Sequence, residues 1–162
     1  MFHVGDSIVY PMQGAGVIEA IEEKEILGEK HRYYMIKMPI LGMQVMIPID
    51  KVLKSRIRLV ADVLTLEHVL DVFQYGQTDT TLSMKERYKI NTEKLRTGNI
   101  QEGAEVVRDL MRLNKKKALN SSEKQMLDSA RKIFISELGI IRGITENQAN
   151  DLLNKRVGWV LF

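Results

Sequence analysis

The chain has 162 residues, 44% of them apolar, no cysteine and a formal net charge of +3. That length fits one ordinary domain or two small ones with packed cores, and the lack of cysteine removes both a disulfide framework and a thiolate zinc site. Met1-Phe2-His3-Val4-Gly5-Asp6 is not the start of a signal peptide, and no run approaches the roughly 18 apolar residues of a membrane span; the reading is a soluble, cytoplasmic protein with no membrane partner.

The chain opens as β-structure. Val4-Gly5-Asp6 and Gly14-Ala15-Gly16 punctuate short apolar runs, because glycine accepts backbone angles closed to other residues. Strands are expected over Ser7 to Pro11, Gly16 to Leu27, His31 to Met38, Met43 to Pro48 and, more weakly, Ile57 to Val60, with turns at Gly28-Glu29 and Leu41-Gly42. Met43, Val45 and Ile47 alternate as a half-buried strand requires. Tyr33-Tyr34-Met35-Ile36 is apolar on both faces, so it belongs inside a sheet or under another element. Short strands joined by short turns point to a small SH3-like or Tudor-like β-barrel over residues 1–60.

After Val60 the period becomes helical. Leu66, Val69, Leu70 and Phe73 recur at helix spacing, and Gly76 to Thr81 is a polar break. Ser83 with Glu86, Asn99 with Glu102, Asn120 with Glu123, and Thr145 with Gln148 match or resemble capping boxes, in which the first side chain satisfies an orphan N–H and the later one reaches back. Met126, Ala130, Ile133, Phe134, Leu138 and Ile141 form the buried stripe of the longest helix, and Gly98 and Gly143 stand at C-caps. The fold class is therefore α+β: the small β-barrel, then an all-α bundle of about five helices over residues 61–162. The apolar tail from Gly158 to Phe162, with the only tryptophan, is expected to dock on the bundle or fray.

Charge divides along the same line. Residues 1–54 carry six Lys or Arg against seven Asp or Glu, whereas Met84 to Lys132 holds thirteen basic and seven acidic residues. A local basic excess suits a phosphate-rich partner, since each basic contact releases counterions from nucleic acid; a solvated helix surface accounts for it equally well.

Enzymatic signatures are missing. His3, His31 and His68 are scattered, Gly14-x-Gly16 has Glu19 where a dinucleotide loop needs its third glycine, and Glu22 and Glu23 fit solvation better than acid–base work. The reading is a non-enzyme with no metal, no cofactor and no small-molecule substrate.

The ordered blocks Val4-Gly5-Asp6-x-x-Val9-Tyr10-Pro11-x-x-Gly14 with Ile18-Glu19-Ala20-Ile21, Arg87-Tyr88-Lys89-x-Asn91-x-Glu93-Lys94-Leu95, Ala104-Glu105-Val106-Val107-Arg108-Asp109-Leu110 and Glu123-Lys124-x-Met126-Leu127-x-x-Ala130-Arg131 carry a resemblance over nearly the whole chain. The sequence resembles the CarD/CdnL family of bacterial transcription regulators. The resemblance implies a Tudor-like domain that binds the RNA polymerase β-subunit by sheet-edge pairing, then a helical domain that touches promoter DNA through backbone and minor groove, stabilising the open complex. Lys24 and Met46 occupy positions resembling the polymerase-contacting basic residues; Met46 departs from the usual charge. Met84 stands where the family often carries a wedging tryptophan, and methionine is among the side chains used as base-step wedges. Met84, Tyr88 and Leu95 also share a helix face, so closing the bundle core is an equal alternative for Met84. Lys85, Arg87, Lys89, Lys124, Arg131 and Lys132 are the DNA-backbone candidates. The β module also resembles the polymerase-binding domain of transcription-repair coupling factors and KOW-type barrels, which leaves a protein-only adaptor and an RNA or ribosome binder as alternatives.

Overall fold

Strands β1 (Ser7–Tyr10), β2 (Gly14–Ile26), β3 (Glu29–Met38), β4 (Met43–Pro48) and β5 (Arg58–Leu59) pair antiparallel in the order β4-β3-β2-β1-β5. A short helix α1 (Ile49–Val52) leads out of β4. This is a computed structural model, and it describes residues 1–157, so the expectation for the tail at Gly158–Phe162 lies outside the described residues. The sheet differs from the expected barrel in one respect: it is not closed. β4 and β5 lie at opposite edges, and β5, only two residues long, pairs with β1 alone.

The alternation in β3 sorts its residues cleanly. Tyr34, Ile36 and Met38 face a core with Ile8, Ile18, Ile47 and Val52, while Tyr33 and Met35 face the other way. A bulge between Ile18 and Ala20 inverts the alternation of β2. Before it, Ala15 and Val17 share the face of Met35; beyond it, Ala20, Glu22 and Lys24 do.

The helical part comprises α2 (Val63–Tyr75), α3 (Met84–Arg96), α4 (Ile100–Lys116), α5 (Ser121–Arg142) and α6 (Glu146–Val157). Each begins where a side chain takes an orphan N–H. Asp62 accepts from Thr65 N at 2.7 Å, Asn99 from Glu102 N at 3.1 Å, and Thr145 and Gln148 bond reciprocally at 3.1 and 2.9 Å. Gly143 ends α5 in the left-handed region at φ 64°, which glycine adopts without a Cβ penalty. Leu66, Val69, Leu70 and Phe73 of α2 meet Ala104, Val107 and Leu110 of α4 and Leu127, Phe134 and Leu138 of α5 in one core. The C-terminal half of α5 keeps Phe134 and Leu138 in this core and also lies against β2, where Ser136 Oγ accepts from Ala15 N at 2.9 Å.

Candidate nucleic-acid and protein interfaces

Two helix starts meet at one end of the bundle. Ser83 Oγ accepts from Glu86 N at 3.2 Å and the Glu86 carboxylate accepts from Ser83 N at 3.1 Å, a complete capping box that makes Met84 the first residue of α3. Alongside, Asn120 caps α5 by accepting from Glu123 N at 2.9 Å, and its amide donates to Met84 Sδ. Glu123 takes two bonds from Arg87, from Nε at 2.8 Å and Nη2 at 2.7 Å, while only 1% exposed. That bonding raises the Arg87 guanidinium above its ordinary range. The positive ends of two helix dipoles are thus held side by side, an arrangement that favours anions.

Met84 is 51% exposed and Tyr88 42%, so the bundle-core alternative for Met84 does not hold; α3 packs inward through Leu95 and Asn91 instead. Met84, Lys85 and Tyr88 line a shallow hollow with Asn120, Ser122 and Glu123. Lys85, Lys89 and Lys124 are exposed around it. Two of the sequence candidates are placed differently from the rest. Arg87 is the brace just described, and Arg131 donates to Asn150 and Asn154 of α6 at 2.8 and 2.9 Å, burial pushing its guanidinium down. Lys132 is exposed but stands about 12 Å along α5 from Lys124. Sequence reasoning passed over Lys115, Lys116 and Lys117, which close α4 and lead through Leu119 into the Asn120 cap. A run of three lysines directly before a cap was the available signal.

The segment entering α3 is fixed from below. Arg108 donates to the carbonyls of Val72 and Gln77 at 3.1 and 3.0 Å, and Arg112 to those of Gly76 and Gln74 at 2.6 and 3.0 Å. Thr78 adds a 2.6 Å bond to Asp109. Burial and the neighbouring Arg108 lower the Arg112 guanidinium, which still satisfies carbonyls that the end of α2 leaves open.

On the sheet, the bulge-shifted register puts Lys24, opposite His31, on the same face as Met46, opposite Met35. They stand about 13 Å apart along β3. Lys24 pairs with Glu22 at 3.6 Å, and Met46 is 39% exposed. β4 is bonded on one side only, so its outer backbone edge is unpaired within the sheet. Among the described residues no group of three or more His, Cys, Asp or Glu is placed to hold a metal, and no helix is long and apolar enough to cross a membrane.

The chain joins a small sheet, open along β4, to a helical bundle with exposed lysines beside two helix starts. Residues 2–61 match the family described as CarD-like/TRCF RID domain, and residues 68–154 match CarD, C-terminal domain. YdeB of Bacillus subtilis (strain 168), named as a candidate transcription factor, is 63% identical over 148 residues, covering 91% of this chain and 97% of that protein. The solution structure of the N-terminal domain of Myxococcus xanthus CarD is 36% identical over 36% of this chain and 80% of its own, with a TM-score of 0.32. The chain belongs to the CarD family of transcription factors.

Proposed function

We propose that the protein is a polymerase-bound regulator that stabilises the open promoter complex. Its sheet, through Lys24, Met46 and the unpaired edge of β4, binds the β-subunit of RNA polymerase, main-chain pairing supplying affinity and the outward side chains specificity. Its helical end binds promoter DNA: Met84 enters the minor groove at the upstream edge of the melted region, and Lys85, Lys89, Lys124 and Lys132 neutralise phosphates. Arg87 and Arg131 serve the same surface by holding α3 and α6 against α5. The observation that carries the reading is an exposed Met84 set between two capped helix starts, on a chain whose N-terminal part matches the domain that CarD proteins share with transcription-repair coupling factors.

Stabilisation follows from differential affinity. A protein that binds the open state better than the closed one shifts the equilibrium by that difference, about 1.4 kcal/mol for each tenfold. The test is open-complex lifetime on a ribosomal promoter with cognate polymerase, with no protein, the wild type, Met84→Ala and Met84→Trp. The lifetime should lengthen with wild type, shorten with alanine and lengthen further with tryptophan, whose larger ring stacks over more area. Polymerase binding with no effect on lifetime would leave a protein-only adaptor.

A further inference from the structure

The two modules touch along the second half of α5, and the contact has one strongly directional element. Arg58, on edge strand β5, sends Nη1 and Nη2 to the two carboxylate oxygens of Glu137 at 2.7 and 2.8 Å. Its Nε reaches the carbonyl of Gly98, in the turn between α3 and α4, at 2.8 Å. Glu137 also accepts from Ala61 N, in the linker between the modules, at 2.9 Å. One carboxylate, its side chain 3% exposed, therefore binds the sheet edge and the linker together, while its guanidinium partner reaches back to the foot of α3. A bidentate fork fixes orientation as well as distance, and a carboxylate this buried is tolerated only with its lone pairs filled.

The rest of the seam is mostly apolar, with one further guanidinium bond at its rim, from Arg56 Nη1 to the carbonyl of Arg96 at 3.0 Å. Val9 and Pro11 on the sheet side face Leu95, Ile100, Ile133 and Phe134 across a cavity of about 160 Å³. Apolar surfaces with space between them hold position weakly, because contact energy changes little when they slide. Ser136, the residue before Glu137, bonds Ala15 N, and Gly139 lets Ile40 come so close that a Cβ there would clash with its Cδ1.

We infer that the Arg58–Glu137 clasp fixes the angle between the sheet and the bundle, and that this angle is what allows the two surfaces to engage polymerase and promoter at once. Both are positioning residues, and the functional half of the inference rests on the reading under Proposed function. When two sites act on one assembly, loss of rigidity leaves each separate affinity in place and removes the gain from joint engagement.

The full chain contains no cysteine, so Lys54→Cys and Asn147→Cys, both at exposed positions, carry a pair of spin labels without background. Glu137→Gln and Arg58→Gln are then introduced separately, one from the bundle side and one from the sheet side, so that a folding defect in the first leaves the second to decide. The label–label distance distribution should broaden in both. In unlabelled protein, binding to polymerase alone and to forked DNA alone should be unchanged, while the lifetime gain of the open complex falls by about fivefold or more. An unchanged distribution, or an undiminished lifetime gain despite broadening, overturns the inference. If the wild type itself fails to prolong the open complex, the regulator reading fails and takes the functional half with it; the distance distribution still decides the clasp.

Discussion

Arg87 and Glu123 meet in a two-bond fork at the point where α3 and α5 both begin, 36 residues apart in the chain. The pair is what keeps Met84 beside Asn120. Replacing either partner alone, as in Arg87→Met or Glu123→Gln, strands the other in a buried site and should cost about 3 kcal/mol in urea unfolding. The double variant should cost less than the sum of the singles, because it leaves no orphaned charge. Additive losses would mean the pair is not coupled.

Phosphate neutralisation has a salt signature. Lys89→Glu and Lys124→Glu should each weaken binding to forked promoter DNA and flatten log K against log salt, by about 0.9 for every duplex phosphate that is no longer neutralised. Lys115→Gln with Lys117→Gln should do the same if the lysine run that closes α4 joins the surface. Fluorescence anisotropy over a potassium chloride series measures it, and a variant with unchanged affinity and slope identifies a lysine that does not touch phosphate.

The start of α2 should be acid-sensitive. Bonds from the backbone and side chain of Thr65 hold the Asp62 carboxylate below its ordinary range. Because the folded value is the lower one, the stabilisation is complete above the unfolded pKa of about 3.9 and is lost as pH falls through the lower folded value. Asp62→Ala should therefore be less stable than wild type at neutral pH, and the gap should close in strongly acidic solution. Thermal melts from pH 7 downward would reveal it; a gap that persists below the carboxylate range would point to packing rather than charge.

Gly16 of β2 pairs with Ile8 of β1 and has β3 as its neighbour on the other side. A Cβ there would lie 2.6 Å from the carbonyl oxygen of Lys37 and 2.8 Å from Cγ of Met38. Neither backbone nor a buried core side chain moves aside cheaply, so Gly16→Ala should cost about 2 kcal/mol, read as a lowered melting temperature. Unchanged stability would mean that the sheet relaxes more freely than its burial implies.

Local chemistry was legible in the sequence, and long-range pairing was not. The boxes at Ser83 and Thr145, the cap at Asn99 and the strand runs are encoded within a few residues, and they stand where periodicity puts them. Sheet closure depends on β5, whose two paired residues are too few for a pattern to resolve. Glu123 looked like the reciprocal half of an Asn120 box, yet its carboxylate is taken by Arg87, because a guanidinium offers it two charge-assisted bonds. Arg87 therefore reads as a surface cation until α3 and α5 are placed together. Arg131 follows the same logic with α6. That Lys24 shares a face with Met46 depends on the bulge after Ile18, which no alternation count contains.

Helix α5 begins at the cap beside Met84 and ends against the sheet, so its length acts as a ruler between the two surfaces. Its 22 residues span about 33 Å. Adding one residue between Glu123 and Ser136 would rotate one end against the other by about 100° and lengthen it by only about 1.5 Å. Adding seven would nearly restore the facing, within about 20°, but move the Asn120 end about 10 Å away from the sheet. Neither change keeps the Met84 surface and the sheet in their present relation, so the spacing of these two residues sets how the two surfaces are placed.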